Sequence, residues 1–240
     1  MKTVVHRSDT RGGADHGWLH ARHSFSFADY QDPERMSFGL LRVLNDDSIE
    51  PSMGFSTHPH SNMEIVTIPL EGALRHKDSE GNEGVIKAGD VQVMSAGTGI
   101  RHSEHNASDT DKLNLFQIWV FPKEWHIAPR YDQKTLDVSL RKNKFHTIVS
   151  PHKNNDSVWI NQDAFFSLAD IDAGKEIEYN IQHSGNGAYV LVIDGKVNIV
   201  GEELNKRDAV GVTEAESLVI KADKKASILL IDVPMQDPPF

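Results

Sequence analysis

Hydrophobic and polar residues alternate along short stretches of this chain, and turns rich in Gly, Asp and Asn separate the stretches. Residues 113–120 (LNLFQIWV) form the clearest stretch, and residues 65–70 and 189–194 are similar. A side-chain period of two is that of a β-strand, whose successive side chains point to opposite faces. No stretch between residues 49 and 120 has the 3.6-residue period and caps of a helix. Many short strands at this spacing predict an all-β fold, built as a sandwich or barrel.

The pattern also predicts where strands end. Residues 14–30 predict one or two strands, and the apolar run 38–44 predicts another that stops at a turn formed by Asn45-Asp46-Asp47. These three polar residues are common in turns because their short side chains bond to nearby backbone.

A break in the pattern divides the chain into two parts. Residues 121–150 contain two prolines and no clean period, so they predict a connector between two β units, with a helical turn within 137–143. We therefore predict an N-terminal domain at residues 1–130 and a C-terminal domain at residues 131–240.

A faint internal repeat relates the two halves. The hairpin at Asp194-Gly195 follows an apolar strand, as the hairpin at Glu71-Gly72 does. This register places three residues of the second half opposite His60, His102 and Glu104: His183, Ile220 and Ala222. The second half keeps at most one metal-ligand type of side chain at these positions. We therefore expect the chemistry in the first half.

Composition narrows the class of protein. A formal net charge of −10 argues against nonspecific binding to nucleic acid or anionic membranes. The absence of cysteine excludes disulfides and thiolate metal sites. No apolar run reaches the roughly 20 residues of a membrane helix, and residues 1–13 lack the apolar segment of a signal peptide. We expect a cytoplasmic monomer.

Two short motifs predict a metal site. His58-Pro59-His60 and His102-Ser103-Glu104 each place two potential ligands on one face of a strand. If the two strands are neighbours, three imidazoles and a carboxylate converge. Pro59 fits a strand only at a sheet edge or a bulge.

The donor types narrow the metal. Three imidazoles and a carboxylate without sulfur suit Fe(II), Mn, Ni, Co, Cu or Zn. An ion that prefers six ligands would keep open positions for substrate or O2, whereas a tetrahedral zinc site would be filled. Because imidazole binds metal only when deprotonated, we expect metal loss below about pH 6.

Other polar residues near these motifs are weaker candidates. Strand parity places Glu64 on the face of His60 and Asn106 on the face of His102, and Gln117 points inward if residues 113–120 form a strand. Parity places His76 and His105 on the opposite face, so we exclude them. For His16 and His23, a surface or hydrogen-bonded role is the expectation.

The motifs THPHSNMEIVTIPLEG and MSAGTGIRHSEHN, with DHGWLHARHSFSFADY before them, resemble the pirin family, in particular bacterial pirin-like quercetin 2,3-dioxygenases. The resemblance implies a bicupin, in which two β-barrel or jelly-roll-like cupin domains share one chain and only the first binds metal. It implies one divalent metal, Fe(II) foremost, held by His58, His60, His102 and Glu104. Glu64 stands where germin-type cupins have their glutamate ligand, so either carboxylate could serve.

The resemblance also implies a reaction, the opening of a flavonol such as quercetin by O2 with release of carbon monoxide. Glu104 would then also accept the proton of the substrate hydroxyl. Two alternatives stay open: an iron-binding regulator that acts through a protein partner, or a cupin enzyme that acts on another small molecule. An enclosed pocket at the metal favours an enzyme, and an exposed metal site beside a large apolar patch favours the regulator.

Overall fold

The computed structural model describes residues 1–153 and 156–237, so the last three residues of the predicted second domain lie outside the described part. The fold is all-β, as predicted, with two cupin-type domains and no α-helix among the described residues. No helix in this part is long and apolar enough to cross a membrane.

The strands of the first half are β1 (Lys2–His6), β2 (Gly12–Asp15), β3 (Leu19–His23), β4 (Leu41–Ile49), β5 (Gly54–His60), β6 (Glu64–Glu71), β7 (Ala73–Asp78), β8 (Glu83–Lys87), β9 (Asp90–Ser95), β10 (Ile100–Asn106), β11 (Leu113–Val120) and β12 (Arg130–Thr135). Those of the second half are β13 (His146–Ser150), β14 (Val158–Trp159), β15 (Phe165–Ile171), β16 (Glu176–Asn180), β17 (Asn186–Asp194), β18 (Lys196–Ile199), β19 (Glu202–Asn205), β20 (Ala209–Thr213), β21 (Ser217–Ala222) and β22 (Ala226–Pro234). Short 3-10 helices lie at Ser8–Thr10 and Val138–Arg141, the second within the predicted helical turn.

Each domain is a sandwich of a seven-stranded and a four-stranded sheet. The first domain has the strand orders β12-β9-β6-β11-β4-β3-β2 and β5-β10-β7-β8. The second has β1-β20-β17-β22-β15-β13-β14 and β16-β21-β18-β19, which is the same plan and accounts for the internal repeat. Strand β1 joins the sheet of the second domain, and β12 joins that of the first. Each large sheet therefore takes one edge strand from the other side of the predicted domain boundary between residues 130 and 131. That boundary stays a prediction.

Alternation along the strands of the large sheets builds two different cores. On β11, Phe116 and Ile118 point toward the other domain and join a core that includes Phe166 and Ile231 of the second large sheet. The intervening Gln117 points into the first domain, where it lines a cavity. The large sheets thus pack against each other through apolar faces, and each domain keeps an interior between its own two sheets.

The predicted turn at Asn45-Asp46-Asp47 is wrong, because β4 runs through it to Ile49. This segment pairs with β3 on one side and with β11 on the other. Two ladders of backbone hydrogen bonds in a central strand outweigh the local turn preference of Asn and Asp. Asn45 and Asp47 are buried with their side chains toward the interior of the first domain.

The register of the repeat is shifted by two residues from the predicted one. Two residues after its hairpin glycine, Leu74 on β7 pairs with Asn106, and Val197 on β18 pairs with Ala222 in the same way. Ala222 therefore corresponds to Asn106 and not to Glu104. The sequence could not show this because the turns between the anchors differ in length.

In the corrected register, Leu218 and Ile220 occupy the places of His102 and Glu104. His183 lies exposed after β16, outside the sheet. The interior of the second domain contains one continuous cluster of buried apolar residues, with the buried carboxylate of Asp232 accepting a hydrogen bond from the hydroxyl of Tyr179 beside it. In the first domain, two separate apolar clusters leave a polar region between them. That polar region contains the candidate site.

Candidate metal centre

Strands β5 and β10 are antiparallel neighbours and bring the two histidine motifs together. His102 pairs directly with His58, and Ile100 pairs with His60. The ring centroids of His58 and His102 lie 4.4 Å apart, those of His58 and His60 4.9 Å, and those of His60 and His102 5.0 Å. Pro59 is tolerated because β5 is the edge strand of its sheet.

A bulge and a glycine let the two strands meet at this point. Between His102 and Glu104, the register against β5 shifts, so that Glu104 pairs with Phe55. Bulges next to functional sites re-aim side chains. Gly54 permits the close approach, since a Cβ atom there would overlap the carbonyl oxygen of Glu104.

The donor atoms of the three histidines lie within 4.8 Å of one another, as in a group that can hold a metal ion. The Nδ1–H of His58 donates to the carbonyl oxygen of Ser56 at 2.8 Å, which leaves its Nε2 lone pair free. Burial and the neighbouring imidazoles lower the pKa of His60 to about 4 and that of His102 to about 2. Both rings are therefore neutral at pH 7, which is the form that binds metal.

Two buried atoms of this cluster have no hydrogen-bond partner in the described part of the chain, Nε2 of His102 and Oε1 of Glu104. Unpaired buried polar atoms are costly in a native structure and call for a partner. A cation satisfies both a lone pair on nitrogen and a carboxylate oxygen. The residues present therefore fit a divalent transition-metal ion.

Glu104 is held by the predicted neighbour Gln117. Its Oε2 accepts a hydrogen bond of 2.9 Å from Nε2 of Gln117, whose Oε1 in turn accepts from the hydroxyl of Thr67 at 3.0 Å. Burial raises the pKa of Glu104 to about 7, and the bond from Gln117 acts in the opposite direction. A metal cation would favour the charged carboxylate.

Glu64 does not face the histidines, and Asn106 shares the buried face of His102 on β10 but bonds to backbone farther along the chain. The chain leaves the sheet after His60, and Glu64 begins β6 in the other sheet, so strand parity does not carry over. Oε2 of Glu64 accepts from Ser95 Oγ at 2.8 Å and from the backbone N–H of Asn161 at 3.1 Å. The Nδ2 of Asn106 donates to three backbone carbonyl oxygens and fixes nearby loops.

The exclusion of His76 was wrong, whereas His105 does lie outside the donor groups found among the described residues. His76 is fully buried on β7, directly opposite Glu104, and forms a donor group with His102 and Glu104. Parity does not carry from one strand to the next, so only the cross-strand pairing with β10 fixes the face of β7. The sequence signal for this pair was its spacing, because His76 and Asp78 are two residues apart and share one face of a strand.

A cavity of about 180 Å³ opens onto the donor cluster. Its polar wall includes Glu104, Gln117, Asp47 and the hydrogen-bonded pair His23–Asn45, whose Nδ1 and Oδ1 lie 2.8 Å apart. Its apolar wall consists of Leu19, Ala21, Phe27, Phe55 and Trp119. His16 is exposed.

Asp47 is a residue that sequence reasoning missed. Its Oδ1 is buried and has no hydrogen-bond partner among the described residues. Burial, with smaller contributions from the negative charges of Asp46 and Glu104, raises the pKa of Asp47 to about 8. The cavity therefore holds a second carboxyl group beside the donor set.

Comparison with known proteins relates both halves to families. A family model described as Pirin matches residues 4–120, and one described as the quercetinase C-terminal cupin domain matches residues 147–233. Quercetin 2,3-dioxygenase of Escherichia coli K12 is 40% identical over 96% of this chain and 98% of its own. A pirin-like protein of Caulobacter vibrioides is 44% identical over 93% and 96%. The solved structure of the Escherichia coli bacterial pirin YhhW in complex with nickel(II) matches with a TM-score of 0.91, at 39% identity over 97% of this chain and 99% of that one.

Proposed function

The chain belongs to the pirin family and is an enzyme of the cupin dioxygenase type, and we propose that it opens flavonols such as quercetin with O2 and releases carbon monoxide. The proposed metal ligands are His58, His60, His102 and Glu104. The proposed ion is Fe(II), with other divalent transition metals able to occupy the same donors. A relative crystallised in complex with nickel(II) supports a divalent metal as the cofactor.

The observation that carries the proposal is the cavity that opens directly onto the donor cluster. Its walls suit a flat aromatic molecule that carries oxygens on one edge. Trp119 lies edge-on to His60 at 4.9 Å between ring centroids and to Phe27 at 5.3 Å, so apolar surface begins beside the donors. The opposite wall offers carboxyl and amide groups for substrate oxygens.

A bound ion of this class supplies Lewis acidity and redox chemistry. The side chains of the protein supply the proton acceptor, the hydrogen bonds that orient the substrate, and the exclusion of water. Glu104, with Oε2 fixed by Gln117, accepts the proton of the flavonol 3-hydroxyl on its carboxylate. Asp47 lies on the same wall and forms a hydrogen bond to a second substrate oxygen. The aromatic side chains exclude water from the reacting ring.

The cavity volume limits how the substrate sits. At about 180 Å³, it is smaller than the roughly 300 Å³ at the lower end for sites that enclose a drug-sized ligand. We propose that the oxygenated ring of the flavonol enters and that its pendant aryl ring stays at the mouth. Flavonols with different pendant rings should then react at similar rates.

The enclosure of the site favours an enzyme over a regulator. His102 and Glu104 are only 1% and 3% exposed. The large hydrophobic side chains that are exposed in the described part belong mostly to separate strands and loops of both domains, and singly exposed residues are ordinary on a protein surface. No observation within residues 1–153 and 156–237 favours a partner-binding role.

The test is metal analysis followed by turnover. Protein purified without oxygen is loaded with Fe(II), and quercetin loss, O2 uptake and carbon monoxide are measured together. We expect about one ion per chain and one carbon monoxide per O2 consumed. His58→Ala should lose both metal and turnover, while His105→Ala, on the outward face of β10, should keep both. A metal-loaded wild type that leaves quercetin intact would refute the proposed substrate.

A further inference from the structure

Behind the donor cluster, His76 and Asp78 form a buried chain that ends at His102. Nε2 of His76 lies 3.2 Å from Oδ2 of Asp78, and both side chains are fully buried. On its other side, Nδ1 of His76 lies 3.5 Å from Nδ1 of His102. This second distance is at the long end for a hydrogen bond. The ring of Tyr131 on β12 lies over His76, with 4.7 Å between centroids.

The carboxylate of Asp78 is itself fixed in place. Its Oδ1 accepts from the backbone N–H groups of Glu80 and Asn82, each at 3.0 Å. Its Oδ2 accepts from Nδ2 of Asn82 at 2.9 Å and faces His76. Burial opposes ionisation of Asp78, but these bonds and the one from His76 together outweigh it and lower the pKa of Asp78. The group facing His76 is therefore a pure acceptor.

The positions of the protons follow from this acceptor. Nε2 of His76 must carry the hydrogen that Asp78 accepts, so Nδ1 of neutral His76 holds a lone pair. That lone pair can only accept, and Nδ1 of His102 must donate to it. The remaining nitrogen of His102, Nε2, is then an unprotonated lone pair, and it is the atom that lacks a partner.

We propose that Asp78 and His76 form a positioning relay that fixes the tautomer and orientation of His102, so that its Nε2 is presented to the metal ion. This inference rests on the proposed metal centre and assigns work to two residues outside the ligand set. Partners of this kind commonly change metal affinity by about 10- to 100-fold. The relay predicts that metal affinity depends on which atom donates and which accepts in each of these hydrogen bonds, and not only on the volume of the side chains.

Substitutions at the two positions separate polarity from packing. Asp78→Asn keeps the shape but can present an amide N–H to His76, which reverses both imidazole tautomers and puts a proton on Nε2 of His102. His76→Leu removes the relay. In His76→Gln, the amide oxygen can accept from His102 and the amide nitrogen can donate to Asp78, so it restores the polarity. Lys77→Gln is the matched control, because Lys77 lies between them on β7 and points to solvent.

The experiment measures Co(II) affinity by competition with a chelator, and the exchangeable imidazole N–H resonances of the Co(II) protein by paramagnetic NMR. We expect about 10- to 100-fold weaker binding in Asp78→Asn and His76→Leu, and affinity within about threefold of wild type in His76→Gln and Lys77→Gln. The wild type should show Nδ1–H resonances for both His58 and His102, and Asp78→Asn should lose the one from His102.

Outcomes of this experiment are independent of flavonol chemistry. Equal affinity of wild type and Asp78→Asn, with the His102 resonance retained, would overturn the relay. Weak binding by His76→Gln as well as His76→Leu, with intact thermal unfolding of the metal-free proteins, would also overturn it, because packing alone would then explain the loss. If the affinities follow the expected order while quercetin is not turned over, the relay stands and only the proposed substrate falls.

Discussion

Replacement of Asp47 by asparagine should stabilise the metal-free protein at neutral pH. Asp47 is buried in the cavity wall, and one of its carboxyl oxygens has no hydrogen-bond partner among the described residues. Asparagine has nearly the same shape but carries no charge at any pH. The substitution therefore removes a group that must stay protonated in the fold while its unfolded form is ionised.

The pKa of Asp47 sets the size of this effect. Burial raises it from 3.8 to about 8. A carboxyl kept neutral at pH 7 against an unfolded pKa near 3.8 makes folding less favourable by at most about 4 kcal/mol. Because the folded-state pKa is raised, Asp47 does not destabilise the fold below its unfolded pKa. As the pH rises from there to about 8, the unfolded state loses the proton first and the fold becomes less stable. The advantage of Asp47→Asn should thus be near zero at pH 4 and grow steadily to pH 8.

The assay is urea unfolding of chelator-treated protein, followed by tryptophan fluorescence at intervals between pH 4 and 8. We expect Asp47→Asn to exceed wild type by about 2–4 kcal/mol at pH 7. Asp29→Asn, which changes an exposed carboxylate, is the control and should show a difference within about 0.5 kcal/mol at every pH. Parallel curves for wild type and Asp47→Asn across this range would refute the account of Asp47 as a buried, desolvated acid.

Three further predictions concern the metal centre. Glu104→Gln should weaken metal binding at least about tenfold. Glu64→Gln should leave metal binding unchanged, because Glu64 bonds away from the histidines. Metal affinity is measured by competition with a chelator, and equal losses in the two variants would contradict the assignment of Glu104 as the ligand. Gly54→Ala should also reduce metal content, measured by elemental analysis, because its Cβ pushes β5 away from β10. In equilibrium dialysis, half of the metal should be released at a pH below 6, which is lower than the unperturbed imidazole pKa suggests. The reason is that burial lowers the pKa values of His60 and His102. A release midpoint above pH 6.5 would contradict this prediction.

The sequence was sufficient to predict the fold class and to predict that the two histidine motifs lie close together in the fold. Strand parity worked for His58, His60 and His102 because each motif lies within one continuous strand, and residues two apart share a face. It failed for Glu64 because the chain changes sheets within the three residues after His60. It failed for His76 because its face depends on pairing with β10, which is not visible along the chain.

Asp47 shows a different limit. Its neighbours Asn45 and Asp46 are typical turn residues, and only the ladders from β3 and β11 keep them in a strand. Polar residues in the middle of a central strand contradict local propensity, and such conflicts are expected where a site is built. The second domain makes the contrast clear, since the same strand plan there has Leu218 and Ile220 in the places of His102 and Glu104.

The most direct test of the metal centre is anomalous diffraction from crystals of the metal-loaded protein, recorded on both sides of the metal absorption edge. We predict one strong peak per chain, about 2.0–2.2 Å from a nitrogen of His58, His60 and His102 and from a carboxylate oxygen of Glu104. A peak elsewhere on the chain, or a peak bound to these histidines with Glu104 turned away, would contradict the ligand set.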